Sequence, residues 1–330
     1  MKAILLNTFG QPDVLKIGQA DPPTAGAGQV LIRVAATSVN RPDLIQREGR
    51  YPPPPGASPI LGLEAAGTIA ALGDGVTGLE AGDRVMALLA GGGYAELAVA
   101  WAGHVIPMPS GMPFEEAACI PEAYITAYQN LFLNAHLVDG EHVLLHGAGG
   151  GVNTAALQIC RALVPASSLM VTASPRKVDR MKALGVDLVI DYLNEDFADA
   201  VLAFTKNRGA DVILDHIGAA YLEKNLSALS VGGRLAIIAT MSGAVAEINL
   251  AKLMIRRQTV LGSVLRPRST EEKAEIIASF EADVMPHVNS GLVRPIIHAV
   301  LPIERAADAH RMMESSEHFG KIVLSFEMHA

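Results

Sequence analysis

The sequence predicts an α/β protein built from a doubly wound parallel sheet and a second, strand-rich domain. Three observations carry this. A chain of 330 residues exceeds the size at which one hydrophobic core stops growing, so two domains are expected. Half of the residues are hydrophobic while 5% are aromatic and 18% charged, a mixture suited to strands buried on both faces by helices. From His142 onward strands and helices alternate, whereas the first third reads as short strands separated by Gly and Pro.

Taken in order, strands are expected at Val30–Val34, Gly67–Ala71 and Arg84–Leu88. The runs Asp21-Pro22-Pro23 and Tyr51 through Gly56 forbid regular helix, and this spacing suits a partly open β-barrel. A helical stretch from Phe114 leads through Pro121 into a second helix from Thr126 to Asn134, where apolar residues recur at helical spacing. Strands then follow at His142–His146, Leu169–Ala173, Leu188–Asp191, Val212–Leu214, Arg234–Ala239 and Val260–Leu265. The tail returns to short elements: Arg294–Val300, a helix from Pro302 through Met313, and a strand Lys321–Leu324. It is expected to pack on the first domain.

The formal net charge of -8 leaves no basic excess for a phosphate backbone, so nucleic acid is not expected as the main partner. The apolar run after Met1 is too short for a signal-peptide core or a membrane span, and a cytoplasmic location without membrane contact is the expectation. The two cysteines, Cys119 and Cys160, lie in apolar surroundings and read as buried free thiols.

The segment His146-Gly147-Ala148-Gly149-Gly150-Gly151-Val152 joins a strand to a helix, the setting of a dinucleotide-binding turn. Glycine is required because a pyrophosphate must approach backbone N–H groups that have no partner at the helix start. Asn153 stands where a third glycine is common, and either caps the helix, its commoner role, or meets a phosphate. NAD-preferring sites place Asp or Glu at the end of the second strand; here the chain reads Ala173-Ser174-Pro175-Arg176-Lys177. A hydroxyl and two cations favour a 2′-phosphate, so NADPH is the expected cofactor. Ser174 as the cap of the next helix is a compatible reading.

Several segments together resemble one family: Asn40-Arg41-Pro42-Asp43, Tyr51 through Ser58, Leu61-Gly62-Leu63-Glu64-Ala65, Gly91-Gly92-Gly93-Tyr94, Ile120-Pro121-Glu122-Ala123-Tyr124 and Gly320-Lys321-Ile322-Val323-Leu324. From Lys2 to Leu324 the chain resembles the medium-chain dehydrogenase/reductase superfamily. Within it, the zeta-crystallin-like quinone oxidoreductases, and most closely their tumour-suppressor-inducible branch, are the nearest match. The resemblance implies a GroES-like catalytic domain over residues 1–121 and 292–330 and a Rossmann domain over 122–291, with the active site in the cleft. It implies cofactor contacts from Thr126, Gly149, Gly150, Gly151 and Val152, a 2′-phosphate environment of Ser174, Lys177 and Tyr192, and a nicotinamide flank of Met241, Ser242, Gly243, Ser263 and Leu265. Tyr51 and Asn40 would border the nicotinamide and acceptor. A homodimer through the strand near Val260–Leu265 is implied too. Family members often carry Ser in the loop where this chain has Gly149 and Gly150.

Zinc-dependent relatives have Cys or Asp near the position of Asn40 and His where Leu63 stands, so no metal site is expected. Reducing a simple carbonyl calls for a Lewis acid or a positioned proton donor, whereas a quinone becomes aromatic on accepting electrons and needs mainly positioning. The expected reaction is therefore NADPH-dependent reduction of a quinone, by hydride or single electrons. The alternatives are an enoyl or alkenal reductase, or a non-catalytic NADPH-binding protein of crystallin type. Tyr51 is the candidate proton donor or else a wall of the site; Asn40 orients acceptor or nicotinamide. Asp43 and Glu64 are either a charged pair of the cleft or structural partners of a nearby Arg in a salt bridge.

Overall fold

The computed structural model describes residues 1–327. The chain forms two compact units, Met1–Ile125 with Arg266–Ala330, and Thr126–Leu265. The segment 266–291, which the resemblance assigned to the second domain, clusters with the first unit. It holds a helix, Thr270–Asp283, that buries one face through Ile276, Ile277 and Phe280, and periodicity does not say which core a helix joins.

In the second unit, six parallel strands make one sheet: β1 (His142–Leu145), β2 (Ser168–Ala173), β3 (Leu188–Asp191), β4 (Ala210–Asp215), β5 (Leu229–Ile237) and β6 (Thr259–Gly262). Their order is β3-β2-β1-β4-β5-β6, a Rossmann-like sheet whose order reverses between β1 and β4. β4 is buried at every residue, because helices cover both faces of a parallel sheet, and this is why its run reads apolar rather than alternating. Leu144, Met170, Ile213 and Leu235 from four strands meet Phe197, Val201 and Leu226 in one cluster. Two strands differ from expectation. β5 starts five residues earlier than the predicted Arg234, and its pairing with β4 shifts register between Ala210 and Val212. β6 ends at Gly262, so Ser263, Val264 and Leu265 lie beyond the strand.

The first unit holds a mostly antiparallel sheet ordered Ile297–Pro302, Lys321–Ser325, Gln29–Ser38, Glu64–Leu72, Arg84–Leu88 and Val105–Pro107, with Leu97–Trp101 also on Gln29–Ser38. This is the GroES-like domain. Lys321–Ser325 pairs with Ala36–Ser38, so the tail is part of the first unit's sheet. Alternating apolar residues of Gln29–Ser38 (Val30, Ile32, Val34) fill a core with Ala65, Ile69, Val85 and Ala87. Cys119 and Cys160 are buried and free. The helix expected from Thr126 to Asn134 instead begins at Pro121 and widens to π geometry over Gln129–Asn134. No helix among the described residues is long and apolar enough to cross a membrane.

Candidate functional site

Every cofactor segment expected within the second unit after the first strand lies just beyond the carboxyl end of a strand. The glycine loop follows β1, Ser174–Lys177 follows β2, Tyr192 follows β3, Met241–Gly243 follows β5, and Ser263 and Leu265 follow β6. Because the strands are parallel, these segments share one edge of the sheet, where doubly wound folds bind ligands. Thr126 is half-buried at the unit's first residue, and its carbonyl accepts from Asn130 Nδ2 at 2.8 Å.

The glycine loop is built as a dinucleotide cradle. Gly147 has φ +73° and Gly149 φ +90°, the left-handed region, and a Cβ on Gly147 would also collide with the His216 ring. Gly150 differs: an added Cβ would meet nothing nearer than the Gly147 carbonyl at 3.7 Å. Packing within the protein therefore does not demand glycine at Gly150, whereas a phosphate over the start of the helix α1 (Gly151–Leu163) would. These residues fit a dinucleotide.

Asn153 neither caps the helix nor leaves its amide nitrogen free. Gly150 is the N-cap, and Asn153 Nδ2 donates back to the His146 carbonyl and, at 2.7 Å, to the Gly147 carbonyl. Sequence reasoning missed this staple; it lets an amide stand where the motif usually has glycine. Under the loop runs a buried hydrogen-bond chain. The Gly147 N–H donates to Thr172 Oγ1 at 3.1 Å, and Thr172 Oγ1 meets His146 Nδ1 at 3.1 Å. His146 Nε2 lies 2.7 Å from Asn225 Oδ1, and Asn225 Nδ2 donates to Asp215 Oδ2 at 3.2 Å. With Asn225 accepting, His146 carries its proton on Nε2. Burial pushes the His146 pKa down to about 3, so the ring is neutral, and burial raises Asp215 to about 6 against the N–H bonds from Ile217 and Gly218.

Ser174 occupies the N-cap position of α2 (Pro175–Ala183), yet its side chain makes no capping bond. No carboxylate stands between Ala173 and Lys177. Ser242 ties its turn to the segment after β4: its Oγ donates to the Ile217 carbonyl at 2.8 Å and accepts from Ala220 N at 2.9 Å. Ser263 Oγ accepts from Gln129 and Asn134 at 3.3 and 3.2 Å, and Met241 is exposed.

In the first unit, Asn40 and Glu64 are brought together, with a partner that the sequence reading did not single out. Lys321 Nζ sits 2.6 Å from Asn40 Oδ1 and 2.9 Å from Glu64 Oε1, while Asn40 Nδ2 donates to Glu64 Oε1 at 2.8 Å. Ser38 Oγ and the Glu122 N–H also donate to Glu64. Glu64 is thus a structural ion-pair partner, matched by Lys rather than Arg. Asp43 has no cation within ion-pair distance among the described residues: it accepts from the N–H groups of Asn40 and Gly62 at 2.8 and 3.0 Å, and burial raises its pKa to about 6 against those bonds and the attraction of Lys321 and Arg266. Leu63 is buried. Tyr51 is half-buried with the Arg266 guanidinium 5.1 Å above its ring; desolvation raises its phenol pKa, assisted by Glu122 and opposed by Arg266. Glu122 is itself raised to about 8 by burial and by Glu64.

Two family models match, an alcohol dehydrogenase GroES-like domain over residues 26–110 and a zinc-binding dehydrogenase over 184–324. The chain is 33% identical to the rat synaptic vesicle membrane protein VAT-1 homolog over 341 aligned positions, covering 98% of this chain and 84% of the relative. A solved NAD-dependent alcohol dehydrogenase is 31% identical with a TM-score of 0.86, covering 98% of this chain and 99% of that one. The CurK enoyl reductase is 27% identical with a TM-score of 0.86, covering 98% of each chain. A mycobacterial protein solved in complex with NADPH is 28% identical with a TM-score of 0.87, covering 98% of this chain and 99% of that one.

Proposed function

The chain belongs to the medium-chain dehydrogenase/reductase superfamily, whose members are oxidoreductases using a nicotinamide cofactor, and from that premise we propose that it is an NADPH-dependent reductase of quinones. The observation that carries the cofactor choice is the stretch Ala173–Lys177 at the carboxyl end of β2. An adenosine ribose bound there would face Ser174, Arg176 and Lys177 and no carboxylate, a setting that attracts a 2′-phosphate. Bound NADPH would supply the hydride or electrons. The protein's share is to hold the pyrophosphate on the glycine loop, bounded by Gly149, Gly150, Gly151 and Val152, and to present the acceptor.

The acceptor choice rests on the side chains around Glu64. Where zinc-dependent relatives carry metal ligands this chain has Asn40 and Leu63, and the ammonium of Lys321, held by Asn40, neutralises Glu64. This donor set suits an acceptor that gains aromaticity on reduction and needs no Lewis acid, and it supports placement among the zeta-crystallin-like quinone oxidoreductases. Tyr51 is the donor or wall beside the acceptor. Asn40, with both amide atoms engaged, acts by holding Lys321 and Glu64 in place. A second reading, reduction of a conjugated carbon–carbon double bond, is favoured by the likeness to an enoyl reductase.

We further propose a cytoplasmic homodimer paired through β6. That strand ends the sheet, and Val260, Val264, Leu250, Met254 and Ile255 in and around it are exposed. The deciding experiment measures NADPH and NADH oxidation with 1,4-naphthoquinone, 9,10-phenanthrenequinone and a 2-alkenal. Quinone kcat/KM above that of the alkenal by about tenfold or more supports the proposal. The reverse order establishes the enoyl reading, and a preference for NADH removes the argument from Ser174–Lys177.

A further inference from the structure

Among the described residues, buried cations pair with carboxylates, with two exceptions. Among the described residues, the buried lysines and arginines are Arg47, Arg266, Lys273 and Lys321. Arg47 pairs with Glu48 and Glu314, and Lys321 pairs with Glu64. Among the described residues, Arg266 and Lys273 have no carboxylate within ion-pair distance: Arg266 lies over the Tyr51 ring, and Glu122 acts on both only through longer-range attraction. Arg266 Nε and Nη2 donate to the Ala90 carbonyl at 2.9 and 2.7 Å, and its Nη1 has no partner. Lys273 Nζ donates to the Arg266 carbonyl at 3.0 Å, one bond for a group with three donors.

A buried ammonium costs several kcal/mol unless an anion neutralises it, and a single carbonyl dipole is a weak substitute. Desolvation accordingly lowers the pKa of both cations. Lys273 also lies in the first turn of the helix Thr270–Asp283, where the helix dipole disfavours a cation, an effect that Glu271 and Glu272 in the same turn offset in part. Folding alone does not favour a lysine here.

Lys273 lines a cavity of about 540 Å³ within the first unit. Its walls include the apolar Ile60, Leu89, Ala98 and Trp101, along with Ser58 and His104. His104 uses Nε2 on the Thr270 carbonyl at 3.0 Å, and burial lowers its pKa. The only carboxylate in the lining, Asp21, is exposed to solvent. A space of this size, largely apolar in its wall and holding one cation with no carboxylate in ion-pair contact, matches an amphiphilic anion.

We propose that this cavity binds an organic carboxylate with an apolar body, its carboxylate neutralising Lys273. The site lies wholly within the first unit. Trp101, the only tryptophan of the chain, lines it and reports on occupancy. The test titrates the full chain with sodium decanoate and, separately, with 1-decanol, both below micelle formation, following Trp101 fluorescence. The expected result is a saturable change with decanoate that is at least about tenfold weaker in Lys273→Met, as loss of a partly buried charge pair requires, and is retained in Lys273→Arg. Thermal melting of both variants with and without decanoate serves as the second measurement, with the ligand raising the melting temperature of the wild type and Lys273→Arg but not of Lys273→Met. Equal affinity for decanoate and decanol, unchanged decanoate binding in a folded Lys273→Met, or no saturable response of the wild type overturns the proposal.

Discussion

Replacing Asn153 by Asp is nearly isosteric, so no cavity forms, and it tests whether the amide staples the dinucleotide loop. The wild-type Nδ2 donates to two carbonyls, those of His146 and Gly147, from a side chain that is 2% exposed. Two lost bonds amount to about 2 kcal/mol net, and the new carboxylate faces both carbonyl oxygens without a donor, which adds about 1–3 kcal/mol. Its position in the first turn of α1 returns up to about 1 kcal/mol through the helix dipole. The expected loss is therefore about 2–5 kcal/mol, and for a unit of this size that lowers the melting temperature by about 6–20 °C. Asn153→Ala should lose less, since it also removes Oδ1, which is buried without a partner, and improves helix propensity. Protonation of the new Asp restores a donor, so the Asn153→Asp deficit should shrink as pH falls towards 5. Calorimetry at two pH values, with NADPH titration by fluorescence, checks this. If Asn153→Asp melts with the wild type and binds NADPH equally well at neutral pH, the loop does not depend on the staple.

Three further expectations follow from the same geometry. Ser174→Asp places a carboxylate at the end of β2, and steady-state kinetics should show the NADPH KM rising by about tenfold or more while that for NADH falls; an unchanged ratio would separate these residues from the 2′-phosphate. Lys321→Met leaves Glu64 buried without its cation and should cost about 3–5 kcal/mol in urea unfolding, most of it recovered in Lys321→Met/Glu64→Gln. His146 and His310 both have folded pKa values depressed to about 3 by burial, so each contributes stability that is present above the unfolded value near 6.5 and is lost as pH falls towards 3. Unfolding free energy should drop between pH 7 and 4, and His146→Gln, less stable at pH 7, should show a smaller drop.

Much of the fold was legible because it depends on local pattern. The alternation after His142, the glycine run between β1 and α1 and the Gly/Pro punctuation of the first third are properties of neighbouring residues, and each sets backbone conformation directly. The absence of a carboxylate after β2 is equally local, and the cofactor argument needs nothing more. Element ends were less legible: β6 stops at Gly262 although Val264 and Leu265 continue the apolar run, since hydrogen-bond pairing with β5 rather than hydrophobicity ends a strand.

What the sequence by itself determined, then, was the kind of each domain and the place of the glycine turn between β1 and α1. Tertiary structure alone decided the partners of the buried polar groups. Lys321 meets Asn40 and Glu64 across 281 and 257 residues of chain, and His146 meets Asn225 across 79. Lys273 and Arg266 lie close in sequence, yet only the folded chain reveals that, among the described residues, neither has a carboxylate in ion-pair contact. The physical reason is that a backbone turn is fixed by the residues within it, while a buried charge or amide is satisfied by whatever the packing of distant strands brings to it, and no pattern along the chain records that meeting.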